Sequence, residues 1–151
     1  MDDEDTNTLV VIYASIYTLR LFVSCRAIFL DGTFKMAPKL WKQLLIINVE
    51  LDEHISFPVT FAFLPNKKKE TYEKVLGELK TLVQDLGIGE LAAAQAMADF
   101  EQAIRLAWTA VFPNVPLKNC LFHFNKVQYF WNNYIVMKEI SNSCHLLGNY
   151  I

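Results

Sequence analysis

The chain has 151 residues, 53% of them hydrophobic and 20% charged, which suits one domain with a sizeable core and excludes a disordered polymer. Its formal charge is −2, but the run Asp2-Asp3-Glu4-Asp5 holds four of the sixteen acids, and the remainder balances at +2, fourteen Lys and Arg against twelve Asp and Glu. Overall charge is therefore excluded as a source of nucleic-acid affinity, which must come from local patches or from further parts of the protein.

Three cysteines, Cys25, Cys120 and Cys144, are an odd number without repeated spacing. That argues against a disulfide framework and for a reducing compartment. Residues 9–30 are apolar enough to raise the question of a membrane span, which needs about 20 apolar residues with few charges. Arg20 and Arg26 interrupt the stretch and Tyr13, Ser15, Tyr17 and Thr18 dilute it, so a buried strand-helix-strand is the better reading. An acidic N-terminus is the opposite of a secretory signal. The expectation is a soluble protein.

In chain order, residues 1–8 read as a flexible acidic tail and 9–13 as a short β-branched run. Ile16, Leu19, Leu21, Phe22 and Val23 then suggest a turn or two of helix. Residues 27–30 form an apolar run that stops at Asp31-Gly32, which predicts a buried strand ending in a turn. Residues 44–49 are a second such run. A third, 58–64, alternates Val59, Phe61 and Phe63 with Thr60, Ala62 and Leu64 before Pro65-Asn66. Three strands with tight connections predict an antiparallel meander.

Tyr72, Val75, Leu76, Leu79, Leu82, Val83 and Leu86 recur at helical spacing, and Gly87 supplies a stop. Residues 90–98 are alanine-rich. Local propensity would fuse 90–112 into one helix; the alternative, preferred here because tertiary context overrides propensity, is a short strand ending at Asp99. Ile104, Ala107, Trp108 and Val111 predict a helix ended by Pro113, and 117–122 form another apolar run. Phe124, Val127, Trp131, Tyr134 and Ile135 give a last amphipathic helix, beyond which the pattern fades over 137–151. The order predicts an α/β fold with a mixed sheet of about five strands and helices on its faces.

Asp31 follows one apolar strand, and Asp99 ends the candidate fourth strand. A right-handed crossover through the helix at 70–86 would return that strand parallel to the first and beside it. Two carboxylates at one sheet edge are hard oxygen donors of the kind that Mg²⁺ or Mn²⁺ takes. From spacing alone, each aspartate could equally be a turn former or a helix N-cap.

A family resemblance bears on that choice. Ile28-Phe29-Leu30-Asp31-Gly32-Thr33-Phe34-Lys35, then Pro38-Lys39-Leu40-Trp41-Lys42-Gln43-Leu44, resembles the first catalytic block of Mutator-like (MULE) transposases. Phe57-Pro58-Val59 with Phe61-Ala62-Phe63-Leu64-Pro65, followed by Glu70-Thr71-Tyr72, is similar to that family's third strand and crossover helix. Asp99-Phe100-Glu101 and then Val111-Phe112-Pro113-Asn114 resemble its second acidic block, and Cys120-Leu121-Phe122-His123-Phe124 its Cys-x-x-His block. The lead-in from Ile12-Tyr13-Ala14 to Leu19-Arg20-Leu21 is similar as well.

The resemblance covers about residues 9–136, each block modest and the ordered set specific. It implies a ribonuclease H-like fold and a three-carboxylate site with two divalent ions, Mg²⁺ or Mn²⁺. It also implies DNA cleavage and strand transfer in cut-and-paste transposition, transposon ends and target DNA as partners, and a nuclear location. Asp31 and Asp99 become the first and second catalytic, metal-binding acids, with Cys120 and His123 beside the site in an unassigned role.

The sequence departs from the family in two places. The third acid, a glutamate, is expected well beyond the Cys-x-x-His block, after a helical insertion. Glu139, the one acid after Glu101, follows Cys120 too closely for that role. Alanine-rich 92–98 replaces a more β-prone approach to the second acid. The expectation is a partial domain with two of three carboxylates and no strand transfer of its own.

Cys120 and His123 with Cys144-His145 do not fit zinc-finger spacing, since the second pair is adjacent. His54 reads as solvent-exposed. Lys67-Lys68-Lys69 reads as a solvated face or as a DNA phosphate contact, and Trp41, Trp108 and Trp131 as core or strand-edge cover. Two functions remain: a metal-dependent DNA transposase domain, or a transposase-derived module that binds DNA or protein without catalysis.

Overall fold

Apolar runs become strands wherever a neighbour can bury them. The computed structural model describes residues 8–33, 36–52, 55–99 and 101–119. Its elements are β1 (Val11–Tyr13), α1 (Ile16–Ser24), β2 (Ala27–Thr33), β3 (Gln43–Asp52), β4 (Ile55–Leu64), α2 (Lys69–Asp85), β5 (Gln95–Ala98), α3 (Gln102–Val111) and β6 (Leu117–Asn119). Save for Asn119, they lie in the first of two compact units, Met1–Lys118. The amphipathic helix expected at 124–135 lies outside the described residues, as do His54 and Trp131.

The strands form one mixed sheet in the order β1-β4-β3-β2-β5-β6. β2, β3 and β4 are the expected antiparallel meander. α2 then carries the chain across, and β5 pairs parallel to β2. This mixed α/β sheet is consistent with a ribonuclease H-like fold. It has six strands, one more than the composition of apolar runs suggested. β1, three residues long and the first strand of the strand-helix-strand expected over 9–30, extends the sheet by pairing antiparallel with β4. β2 also runs past the expected stop, because Gly32 and Thr33 still pair with Leu45 and Leu44.

Residues 95–98 are a strand despite their helix propensity. Ala96 is fully buried and Ala98 nearly so, in one cluster with Trp108 of α3 and Leu76 of α2. Burial between strand and helices outweighs the small intrinsic preference of alanine for a helix.

Local chemistry sets the helix ends. Ser15 accepts from the Thr18 amide at 3.1 Å while the Thr18 hydroxyl accepts from the Ser15 amide at 2.9 Å, a reciprocal cap on α1. At the start of α2 the Asn66 side chain accepts from the Lys68 amide and the Thr71 hydroxyl. α2 stops as its sequence predicts: Gly87 takes φ +58°, its amide donates to the Gln84 carbonyl, and the Ile88 amide donates to that of Val83.

The core lies on one side of the sheet. Leu19 and Phe22 of α1, Val75 and Leu79 of α2, and Ile104 and Trp108 of α3 cluster with Ile28, Leu30, Leu45, Ile47, Ala62 and Leu64. Strand side chains alternate between faces. The residues between these, Phe29, Asp31, Ile46 and Phe61, therefore lie on the opposite face, where all four are half-buried or exposed. No helix among the described residues is long and apolar enough to cross a membrane.

Candidate functional site

The sheet changes connection at β2. On one side β2 joins β3 through an antiparallel pairing, and on the other it pairs with β5 after the α2 crossover. The carboxyl ends of strands at such a switch point form a crevice where open α/β sheets hold ligands. The parallel register pairs Ile28 with Ala96 and Leu30 with Ala98. Asp31 and Asp99 each lie one residue beyond the last pair of this ladder; Asp31 stays within β2, which runs on to Thr33, and Asp99 follows the end of β5.

Their surroundings differ. Asp31 is exposed and, among the described residues, its carboxylate has no hydrogen-bond or ion-pair partner. Asp99 is half-buried, and its Oδ1 accepts from the backbone amide of Glu101 at 3.0 Å. The turn-forming role open to this aspartate is therefore present. Its second oxygen and all of the Asp31 carboxylate are left to face a ligand. Both are hard oxygen donors, Asp31 within β2 and open to solvent and Asp99 just after β5, of the kind that a partly hydrated divalent cation takes. Among the described residues no group of three or more His, Cys, Asp or Glu is placed to hold a metal ion, so the donor set there is a pair.

Three side chains that sequence reasoning had not assigned to the site form a network that reaches Asp99. The Tyr72 hydroxyl, on the first turn of α2, sits 2.7 Å from Glu101 Oε1 and 2.9 Å from the Gln43 side-chain amide. A phenol has one proton to give. Glu101, charged and nearer, is the stronger acceptor. The Gln43 amide can turn its nitrogen to the phenol oxygen, because its two ends interchange by rotation about one bond.

Tyr72 is fully buried and Gln43 is 2% exposed. Burial first, and the Glu101 carboxylate second, hold the phenol far above its ordinary pKa, so it stays a donor. Glu101 is the N-terminal flanking residue of α3 but gives no side-chain cap, because its carboxylate is committed to Tyr72 and, at 3.3 Å, to Lys67.

Gln43 also accounts for Gly32. A Cβ at position 32 would fall on the Gln43 side-chain amide, so the residue after Asp31 has no room for a side chain. One sequence signal for this network existed: Tyr72 occupies a core position of its helix, where a tyrosine must find a partner for its hydroxyl.

The other sequence-predicted features divide. Of the basic run, Lys67 pairs with Glu101, and Lys69 pairs with Glu73 at 3.0 Å one turn along α2. Trp108 is core, while Trp41 packs on Phe63 with ring centroids 5.3 Å apart. Cys120 and His123 lie outside the described residues.

Comparison with known proteins agrees with the order of these blocks. No protein of curated function matches the chain. The family model for the MULE transposase domain matches residues 27–127, a span that opens on β2 and takes in both aspartates, Gln43, Tyr72 and Glu101. Covering more than half of the sequence in one match, it shows that this chain belongs to the MULE transposase family and has a transposase-related function.

Proposed function

We propose that this chain is part of the catalytic domain of a cut-and-paste DNA transposase, with Asp31 and Asp99 as two of the three acids of its active site. The observation that supports this reading is the parallel pairing of β2 with β5 at the sheet's switch point, whose last pair, Leu30 and Ala98, directly precedes the two aspartates. In the intact parent a glutamate completes the set, transposon ends and target DNA are the substrates, and the nucleus is the place of action. Bound Mg²⁺ or Mn²⁺ would supply charge neutralisation at the phosphate and activation of the attacking oxygen. Asp31, open to solvent, would hold the ion where phosphate can reach it, while Asp99 is held in its turn through one carboxylate oxygen. Lys67 and Lys68, exposed at the start of α2, border the same sheet edge and suit DNA phosphates.

A second reading, a transposase-derived module that binds DNA or protein without cutting it, draws on the absence of a three-member ligand group among the described residues. Mn²⁺ titration separates the two. The transposase reading expects weak saturable binding by the chain and its loss in Asp31→Asn and in Asp99→Asn. Equal binding by all three proteins would leave the module reading in place.

A further inference from the structure

We propose that Tyr72 is a positioning residue for the Asp31–Asp99 cation site, fixing the Asp99 turn through Glu101 and the Gly32 step beside Asp31 through Gln43. The inference rests on the reading of the two aspartates as a cation site.

The ladder between β2 and β5 ends at Leu30 and Ala98. Beyond that pair, backbone hydrogen bonding across these two strands no longer sets where Asp99 stands relative to Asp31. A divalent ion shared by two carboxylates nevertheless requires their separation to hold within about 0.5 Å. Tyr72 is placed to supply the constraint. It projects from the crossover helix, and its hydroxyl meets one arm from each side of the gap.

The first arm is Glu101, whose own amide donates to Asp99 Oδ1. Holding the Glu101 carboxylate holds that amide, and with it the rotamer of Asp99. It also keeps a third carboxylate turned away from the ion. The second arm is Gln43, the first residue of β3, whose amide rests against Gly32 and leaves no room for a side chain there. With Tyr72 and Gln43 both sealed from solvent, water cannot replace the contact between them.

The test uses the full chain, Mn²⁺ as the probe ion, and hydrogen exchange at the Glu101 amide in its absence. Tyr72→Phe, which removes one oxygen, is expected to weaken Mn²⁺ binding by about tenfold or more, as loss of a partner that orients a metal ligand does, and to speed exchange of that amide. Val83→Ala, at the far end of the same helix, is expected to lower the melting temperature without changing Mn²⁺ affinity, which separates positioning from general stability. Glu101→Gln, which keeps the size of the acceptor and drops its charge, is expected to fall between wild type and Tyr72→Phe. It carries the same test should the phenylalanine variant not fold.

Wild-type Mn²⁺ affinity in Tyr72→Phe, with binding abolished in Asp31→Asn, would overturn this inference and leave the carboxylate pair standing. Equal binding by wild type and Asp31→Asn would overturn the pair, and the positioning role with it.

Discussion

Two glycines that look interchangeable in the sequence should respond to alanine with opposite signs. At Gly32 the added methyl falls on the side-chain amide of Gln43, whereas at Gly77, in the interior of α2, it meets nothing within 4 Å. Gln43 is 2% exposed and cannot retreat into solvent. Overpacking costs about 1–3 kcal/mol, and a buried polar group that loses its partner costs about 1–3 kcal/mol more. Gly32→Ala should therefore destabilise the fold by roughly 2–6 kcal/mol, while Gly77→Ala should stabilise it by about 0.5–1 kcal/mol through helix propensity.

Urea denaturation followed by circular dichroism reads both. The midpoint of Gly32→Ala should fall by more than about 0.7 M, given slopes of about 1–3 kcal/mol/M, and that of Gly77→Ala should rise. Truncating Gln43 to alanine makes room, so the Gly32→Ala/Gln43→Ala double variant should be more stable than the sum of the two single losses predicts. Strict additivity, or a neutral Gly32→Ala, would refute the claim that the Gln43 amide is what excludes a side chain there.

Two further outcomes follow from buried groups. Thr60 is fully buried on β4 and its hydroxyl has no hydrogen-bond partner among the described residues. Thr60→Val should raise stability by about 1 kcal/mol and Tm by roughly 2–4 °C in calorimetry; a lower Tm would mean that the hydroxyl is satisfied. Burial pushes the Cys25 thiol up to about 11 and raises Tyr72 as well. The unfolded chain then releases these protons at a lower pH than the folded one, so their contribution is complete below about pH 9 and is lost as pH climbs toward 11. Urea midpoints should fall between pH 8 and pH 10.5, with part of the slope removed in Cys25→Ala; a flat profile would contradict the burial argument.

The meander and α2 were legible because their apolar residues keep a single period over many positions, and Gly87 marks the helix end as a left-handed residue must. The return of β5 parallel to β2 and beside it was legible too, since it needed only the handedness of a crossover. β5 was harder, since Ala96 and Ala98 take a strand for lack of space beside the helices, a fact of packing that no local window contains. β1 is short, and what makes it a strand is a partner about 50 residues away.

The Tyr72 network was legible only in part. Tyrosine at a core position announced a need for a hydrogen-bond partner, but that Glu101 and Gln43 would meet it depends on a helix start and two strand ends converging. Gly32 read as a turn signal. It is instead a strand residue with an amide packed against it.

The central claim is most directly tested by crystals of the full chain soaked in Mn²⁺, with data collected for anomalous scattering. The account predicts a peak coordinated by both Asp31 and Asp99, and its disappearance in Asp31→Asn. A peak bound by one aspartate alone, or one that stays where it was after that substitution, would contradict it.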